Sequence, residues 1–145
     1  MPPTFTLQPQ YSLADLNGRS RNTMAEHLGI EFIEVGEDFL KAKMPVDHRT
    51  HQPLGMLNGG ASFALAETVG SMAANLWIDR TQFVALGLDM NGNHLKGVRE
   101  GFVYATARPF HQGKATSVWE IKIEDDVANL VCVCRLTMAI VELKK

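Results

Sequence analysis

The sequence predicts an α+β domain in which an antiparallel sheet wraps around one long central helix. Three observations support this fold class. The stretch 59–78 is apolar and rich in alanine, and its one charged residue is Glu67, so we expect a buried helix there. Two strand-like runs precede this stretch and four follow it. The chain has 145 residues, 46% of them hydrophobic, which is enough for the core of a single domain covering residues 1–145.

The N-terminal segment, residues 1–28, is predicted to contain one or two short helices. Two strands are predicted next, at 30–35 and 39–46. Apolar and polar residues alternate in the second of them, which is the period of a half-buried strand. The run Gly-Glu-Asp at 36–38 marks the turn between the two strands.

A loop rich in His, Pro and Gly follows and leads to the central helix, which is predicted from Gly59 to Ile78. Glycine and Asp-Asp turn signals then separate further strand-like runs. These predicted strands cover residues 83–90, 102–109, 116–124 and 130–141.

Glu67 is the first candidate for chemistry. Burying an ionised carboxylate costs free energy unless the group is paired or used. The helix start at Gly59 and Gly60 presents unpaired backbone N–H groups and the positive end of the helix dipole, where developing negative charge is favoured. The alternatives are that Glu67 pairs with a distant Lys or Arg or lies exposed, and that the two glycines serve only tight packing.

Composition excludes several other classes of protein. A net charge of −2 without a basic stripe argues against nucleic-acid partners. No apolar stretch reaches the ~20 residues of a membrane span, because Glu67 interrupts the longest. Cys132 and Cys134 face the same side of a predicted strand, where a disulfide is awkward, so we expect reduced packing residues in a cytoplasmic protein. No Cys or carboxylate cluster completes a metal site around His48 and His51, and no cofactor is expected.

Three motifs lie at fixed spacing in and before the predicted helix. They are Gln-Pro-Leu-Gly at 52–55, Asn-Gly-Gly-Ala-Ser at 58–62 and Ala-Glu-Thr-Val-Gly-Ser at 66–71. Together they resemble the hotdog-fold acyl-CoA thioesterases of the phenylacetate-degradation type, and the resemblance runs from about residue 28 to 141. More narrowly, they are similar to the branch that hydrolyses aryl-CoA thioesters such as 4-hydroxybenzoyl-CoA and 1,4-dihydroxy-2-naphthoyl-CoA. The resemblance implies a hotdog fold, in which an antiparallel sheet curls around one helix.

The resemblance also implies roles for individual residues. Glu67 would be a carboxylate nucleophile or general base, and the backbone N–H of Gly59 an oxyanion site. Gln52 would help to hold the thioester, and Ser71 would assist near the nucleophile or its water. The family usually has His where this chain has Asn58, which can cap a helix and donate a hydrogen bond but cannot shuttle a proton near neutral pH.

Two of these residues have a purely structural alternative. Asn58 can be a plain N-cap. Ser71 can be a buried hydroxyl that bonds to the backbone carbonyl one turn before it.

Basic residues in the second half of the chain are candidates to contact the CoA moiety. Each is alternatively a solvated surface charge. The basic candidates are His94, Lys96, Arg99 and His111, together with Arg108 and Lys114, and the uncharged Gly113 is a further candidate.

Helix geometry adds a constraint that is independent of the resemblance. Glu67 lies eight residues after Gly59, which is roughly 12 Å at 1.5 Å per residue. One chain cannot bring both groups to the same carbonyl carbon, so the spacing predicts an obligate dimer with Gly59 of one chain opposite Glu67 of the other. The resemblance likewise implies a dimer or a dimer of dimers. Glu67, Ser71 and Asn75 share one side of the helix as a polar stripe.

The resemblance implies hydrolysis of acyl-CoA thioesters, with aryl-CoA substrates, to the free acid and CoA, and the residues are consistent with that chemistry. CoA thiolate is a good leaving group, so a carboxylate that attacks the carbonyl or activates water is sufficient. The alternative is an acyl-CoA-binding protein with weakened activity, motivated by Asn58. A hydratase on the same fold ranks last, because the Asp and His motif of those enzymes is not found in the sequence.

Overall fold

The structure is a computed structural model that describes residues 11–144; residues 1–10 of the predicted N-terminal segment and Lys145 lie outside the described residues. The helices in this range are α1 (Leu13–Arg19), α2 (Met24–His27) and α3 (Gly59–Leu76). None of them has both the length and the apolar composition that crossing a lipid bilayer requires. The strands are β1 (Glu31–Val35), β2 (Leu40–Pro45), β3 (Phe83–His94), β4 (Phe102–Gln112), β5 (Thr116–Glu124) and β6 (Leu130–Glu142).

The six strands form one antiparallel sheet in the order β1-β2-β4-β5-β6-β3, so β1 and β3 are its edges. The long helix α3 connects β2 to β3 and contacts β2, β3, β4, β5 and β6. It therefore lies across one face of the sheet. This arrangement confirms the predicted hotdog fold, an antiparallel sheet around one long central helix.

The face of α3 that packs on the sheet is small and apolar. Leu65 and Val69 on this face are fully buried. A Cβ at Gly70 would lie 2.6 Å from Leu136 Cδ2, so helix and sheet approach more closely here than a larger residue would allow. The opposite face of the helix, which carries Glu67, is left uncovered by the sheet.

The central helix ends two residues earlier than predicted, at Leu76 rather than Ile78. The N–H of Trp77 bonds to the carbonyl of Ala74 at 3.3 Å and closes the last turn as a tighter i→i+3 bond. The Trp77 ring then packs edge-on against Trp119 at a centroid distance of 5.2 Å. The helix thus ends where the Trp77 ring packs against the sheet, and the sequence pattern of the helix does not show this contact.

Strand β3 is longer than predicted and runs to His94 rather than Met90. Its Asn-Gly-Asn segment at 91–93 has little intrinsic strand preference. Pairing with β6 nevertheless continues through this segment, with a register shift between Gly87 and Asp89. The long neighbouring strand therefore overrides the local preference.

The first helix is held in place by one polar side chain and one apolar one. Asn17 Oδ1 accepts the backbone N–H of Phe32 at 2.8 Å, and Asn17 Nδ2 donates to the carbonyl of the same residue at 3.0 Å. Leu16 is fully buried. A capping box between Ser12 and Asp15 begins the helix. These contacts give α1 a defined position beside β1.

Candidate active site

The residues predicted to act on the substrate lie in two separate grooves of the chain. The Glu67 groove has a volume of about 460 Å³ and is lined by Glu67, Ser71 and Met72 together with Arg19, Met24 and Arg80. The Gly59 groove has a volume of about 350 Å³ and is lined by Gln52, Gly59, Ser62, His94 and Lys96. Glu67 and Gly59 thus open onto different grooves, as their spacing on the helix predicts.

Glu67 lies on the uncovered face of α3, next to the edge strand β3. Its side chain is exposed, so the expectation of a buried carboxylate is wrong for the single chain. The reason is that the sheet covers only one face of the helix. A Cβ at Gly87 would lie 2.5 Å from Glu67 Oε1, so the glycine makes room for the carboxylate. Glu67 forms no hydrogen bond or ion pair with any residue in the range 11–144, which leaves its oxygens available to a reactant.

Asn75 and Ser71, two residues of the polar stripe on α3, make different contacts within the chain. Asn75 Nδ2 donates to the carbonyls of Ser71 (2.9 Å) and Ala85 (3.0 Å), and its Oδ1 accepts the N–H of Ala85 at 3.0 Å. Asn75 therefore ties the helix to β3. The Ser71 hydroxyl donates to Met138 Sδ at 3.8 Å and does not bond to the carbonyl one turn earlier. The Ser71 oxygen can therefore still accept a hydrogen bond beside Glu67.

Asn58 acts as the N-cap of α3. Its Oδ1 accepts the N–H of Gly60 at 2.7 Å, and its backbone carbonyl accepts the N–H groups of Ala61 and Ser62. The N–H of Gly59 has no acceptor in the described part of the chain. An unpaired donor at the positive end of a helix is suited to hold an oxyanion.

The loop before α3 is held by polar contacts. Arg49 bonds to both carboxylate oxygens of Asp47, at 3.1 and 2.7 Å, and lowers the pKa of Asp47 to about 2. The buried hydroxyl of Thr50 donates to the carbonyl of Pro45 at 2.8 Å, and the carbonyl of Thr50 accepts the N–H of Asn58 at 2.8 Å. The loop thereby positions the start of the helix.

Gln52 sits in a tight turn at one wall of the Gly59 groove. Its Oε1 accepts the N–H of Leu54, and its backbone N–H donates to the carbonyl of Met56 at 2.7 Å. Its Nε2 has no acceptor within residues 11–144. The side-chain amide of Gln52 can therefore donate to a carbonyl bound in this groove.

Two of the predicted CoA contacts lie in the same groove. The His94 ring packs against the start of α3, because a Cβ at Gly59 would lie 2.7 Å from His94 Nε2. The ring also packs on Phe63 at a centroid distance of 5.2 Å. Lys96 forms an ion pair with Asp125 across the neighbouring turn. The structure thus brings His94 and Lys96 beside the Gly59 donor.

The other predicted CoA contacts lie elsewhere in the chain. Arg99 donates to the carbonyl of Leu54 at 3.1 Å and so stays near the turn that holds Gln52. Arg108 forms an ion pair with Asp38 at 2.6 Å, so the carboxylate of Asp38 already balances the charge of Arg108. Arg99 therefore remains a candidate near the Gly59 groove, whereas Arg108 serves the strands at the sheet edge.

His111 lies near the end of β4 and Gly113 follows that strand, so both are far from His94. His111 pairs with Val118 of β5, which pairs with Thr137 of β6, whereas the β6 residue paired with His94 is Cys132. Five residues of strand separate Thr137 from Cys132, which is about 16 Å at roughly 3.3 Å per residue. Within one chain the two groups cannot hold the same phosphate.

The sequence reasoning missed two arginines that line the Glu67 groove. Arg19 lies in the last turn of α1, with its guanidinium 4.6 Å from the centre of the Tyr11 ring. Arg80 follows α3 by four residues. Neither pairs with a carboxylate in the described part of the chain. Each is one arginine in a polar segment, so no sequence signal links it to Glu67 until the chain folds.

These residues supply the groups that attack on a carbonyl requires. Glu67 provides a carboxylate without a partner, and Gly59 and Gln52 provide donors without acceptors, as far as the described residues 11–144 are concerned. Such an arrangement suits acyl transfer to water, in which negative charge develops on the carbonyl oxygen.

Comparisons with known proteins agree with this chemistry. A Vibrio cholerae protein provisionally named an esterase is 53% identical over 129 residues, which cover 89% of this chain and 85% of that protein. A mutant thioesterase of Pseudomonas aeruginosa superposes with a TM-score of 0.93 at 45% identity, over 95% of this chain and 99% of that chain.

A glutamine-to-alanine variant of a Staphylococcus aureus thioesterase superposes with a TM-score of 0.78 at 41% identity, over 81% of this chain and 97% of that chain. A glutamate-to-alanine variant of the same protein matches with a TM-score of 0.80. The family model described as the thioesterase superfamily matches residues 54–132, more than half of the chain. The chain therefore belongs to the thioesterase superfamily.

Proposed function

We propose that this protein hydrolyses acyl-CoA thioesters to the free acid and CoA, and that it prefers aromatic acyl groups. The observation that carries the proposal is that the chain offers both a carboxylate, Glu67, and a helix N–H, that of Gly59, and that neither has a partner among residues 11–144. The aromatic preference rests on the resemblance of the sequence motifs to aryl-CoA thioesterases. The Glu67 groove, about 460 Å³ in volume, is large enough for an aromatic ring.

We further propose that each active site forms between two copies of the chain. Gly59 and Glu67 are each four residues from Phe63. A twofold axis beside Phe63 would therefore bring Gly59 of one copy opposite Glu67 of the other. The structure of one chain supports this arrangement, because Gly59 and Glu67 open onto separate grooves.

The edge strand β3 is the surface best suited to this pairing. It lies beside the uncovered face of α3, since Gly87 is next to Glu67 and Gly92 is next to Phe63. Its outer edge pairs with no strand in residues 11–144. Leu86 is 52% exposed on this strand, and long exposed apolar edges favour pairing with another chain.

In the proposed reaction the thioester carbonyl accepts hydrogen bonds from the Gly59 N–H and the Gln52 amide. Glu67 of the second copy either adds to the carbonyl carbon, to form a mixed anhydride that water hydrolyses, or takes a proton from the attacking water. Either route breaks the C–S bond and releases CoA as the thiolate. The helix N-terminus stabilises the negative charge on the oxygen throughout.

The related Staphylococcus aureus thioesterase supports the choice of residues. The glutamine and the glutamate that were replaced by alanine in its crystal structures lie fifteen positions apart. Gln52 and Glu67 are also fifteen positions apart. This equal spacing supports the assignment of both residues to one function.

The test is thiol release from benzoyl-CoA and from a panel of aliphatic acyl-CoA thioesters. Glu67→Ala is expected to lower kcat by roughly 10²- to 10⁴-fold, because the attacking oxygen or its base is lost. Glu34→Ala is the matched control, since Glu34 is exposed on β1 and distant in sequence from α3. Equal rates for Glu67→Ala and the wild type would rule out the proposed role of Glu67.

The second candidate function is acyl-CoA binding with weak or no turnover. It is favoured by Asn58, whose side-chain oxygen is already occupied by the N–H of Gly60 and which cannot shuttle a proton. Calorimetry that shows tight acyl-CoA binding without thiol release would support this function. Rapid turnover of any thioester in the panel would remove it.

A further inference from the structure

We propose that the acyl group of the substrate ends in a carboxylate, which Arg19 and Arg80 bind. This inference rests on the proposed function, because it assigns the acyl group to the Glu67 groove. It goes beyond that function by naming the chemical class of the acyl group. The observation that carries it is that two guanidinium groups, which form no ion pair within residues 11–144, line the groove of the candidate catalytic carboxylate.

Among the described residues that line the Glu67 groove, the two arginines are the cationic ones and Glu67 is the acidic one. Glu67 has no ion pair within residues 11–144, so neither arginine neutralises it. A guanidinium presents a fork of N–H donors that matches a carboxylate in a bidentate geometry. The groove therefore offers an anion site in addition to its catalytic group.

The position of Arg19 is set by the fold. Asn17 bonds to both backbone groups of Phe32, and Leu16 is buried, so α1 is anchored next to the groove. The Arg19 guanidinium packs over the Tyr11 ring and forms no ion pair with a residue in the range 11–144. The pKa of Asp15, one turn earlier, is lowered mainly by hydrogen bonds from Ser12 and to a smaller extent by the charge of Arg19. An anchored helix thus presents this cation at the rim of the groove.

The Glu67 groove offers apolar side chains as well as the two arginines, and an acyl group that ends in a carboxylate needs both. Glu67 lies nine residues before the end of α3 at Leu76, which is roughly 14 Å at 1.5 Å per residue, and Arg80 follows that end. The apolar side chains of Met72 and Val84 also line the groove. An apolar acyl body can therefore contact these side chains while its carboxylate meets the arginines.

The same arginines could in principle contact the phosphates of CoA. The Gly59 groove, which holds the candidate oxyanion donor, is lined by His94 and by Lys96, whose ammonium pairs with Asp125 and keeps further N–H donors for a phosphate. We therefore assign the CoA moiety to the Gly59 groove and the acyl carboxylate to the Glu67 groove. The experiment below separates the two assignments.

The test compares two pairs of thioesters that are matched in size: adipoyl-CoA with hexanoyl-CoA, and 4-carboxybenzoyl-CoA with 4-methylbenzoyl-CoA. For each pair we expect the carboxylate to have a kcat/KM roughly three- to tenfold higher, a modest ratio because both arginines are exposed. The ratio should fall to about one in the double variant Arg19→Met, Arg80→Met, and it should fall with added salt. Arg21→Met is the control, since Arg21 does not line the groove and should leave the ratio unchanged.

Dissociation constants of the same four thioesters for Glu67→Gln provide a readout that does not need turnover. A carboxylate preference in binding that the double variant abolishes would support the inference even if no thioester is hydrolysed, while the absence of hydrolysis would overturn the proposed function alone. The inference is overturned if the wild type prefers the neutral member of both pairs. It is also overturned if the double variant raises KM for all four thioesters equally and keeps the ratio, because the arginines would then bind CoA.

Discussion

Asn58 shows how one side chain organises the start of α3. It accepts the N–H of Gly60, while the N–H of Gly59 is left without an acceptor. The cap and the candidate oxyanion donor are therefore neighbours with different tasks. Because the cap orients the first turn, Asn58 positions the Gly59 donor without itself needing to contact the substrate.

This arrangement predicts the effect of shortening the cap. Asn58→Ala should lower the free energy of unfolding by about 1 kcal/mol, because the Gly60 N–H loses its acceptor. Asn58→Asp should retain most of the stability, since a carboxylate caps a helix equally well. Thermal unfolding of the three proteins measures this difference. Equal stability of Asn58→Ala and the wild type would mean that water replaces the cap at no cost.

At the scale of elements, the close approach of α3 to the sheet depends on a glycine. We expect a Gly→Ala substitution to change the free energy of unfolding in opposite directions in α1 and in α3. Gly18→Ala should raise stability by roughly 0.5–1 kcal/mol, because the new Cβ meets no atom within 4 Å and alanine favours the helix. Gly70→Ala should lower it by about 1 kcal/mol, because overpacking against Leu136 outweighs the same helical preference. Denaturant unfolding measures both, and a stabilised Gly70→Ala would show that the sheet yields freely.

The loop before α3 has a predicted dependence on pH. Arg49 lowers the pKa of Asp47 to about 2, below the ordinary value of 3.8. The ionised pair therefore contributes its full stability above about pH 4, and this contribution is lost as the pH falls through about 2. The melting temperature of Asp47→Asn should thus lie below that of the wild type at about pH 5 and approach it at about pH 2.

The difference in melting temperature should be small and should shrink in salt, since both side chains are about a third exposed. Glu34→Gln serves as the control, because no ion pair involves this residue in the described part of the chain. A difference that stays constant down to pH 2 would assign the effect to something other than this pair.

At the scale of the whole molecule, a site shared between two copies predicts complementation of inactive chains. Gly59→Val and Glu67→Ala should each be inactive alone, because the new side chain in the first collides with His94 and blocks the N–H donor, while the second loses the carboxylate. Co-expressed chains should recover about a quarter of the wild-type activity, since half of randomly formed dimers are mixed and each has one intact site of two.

Mixed dimers are isolated by purifying through a different tag on each chain. Co-expression of Glu67→Ala with Glu67→Gln is the control and should recover no activity, because neither chain carries the carboxylate. If the tagged mixed dimers of Gly59→Val and Glu67→Ala are also inactive, Gly59 and Glu67 do not meet across the interface.

The fold and the spacing of the candidate residues could be predicted from the sequence. The apolar run around Glu67 and the alternating strands are local patterns, and they determined one long helix and six strands. The distance between Gly59 and Glu67 follows from the rise of a helix, which is independent of what surrounds it. Local geometry therefore determined that the two groups cannot meet within one chain.

Only the tertiary structure decided which side chains are available. Glu67 is exposed because the sheet covers one face of α3, and Asn75 is committed to β3 because the chain returns along that face. Arg19 and Arg80 reach the Glu67 groove from segments that are distant in sequence. These properties depend on which elements become neighbours, and no local pattern carries that information.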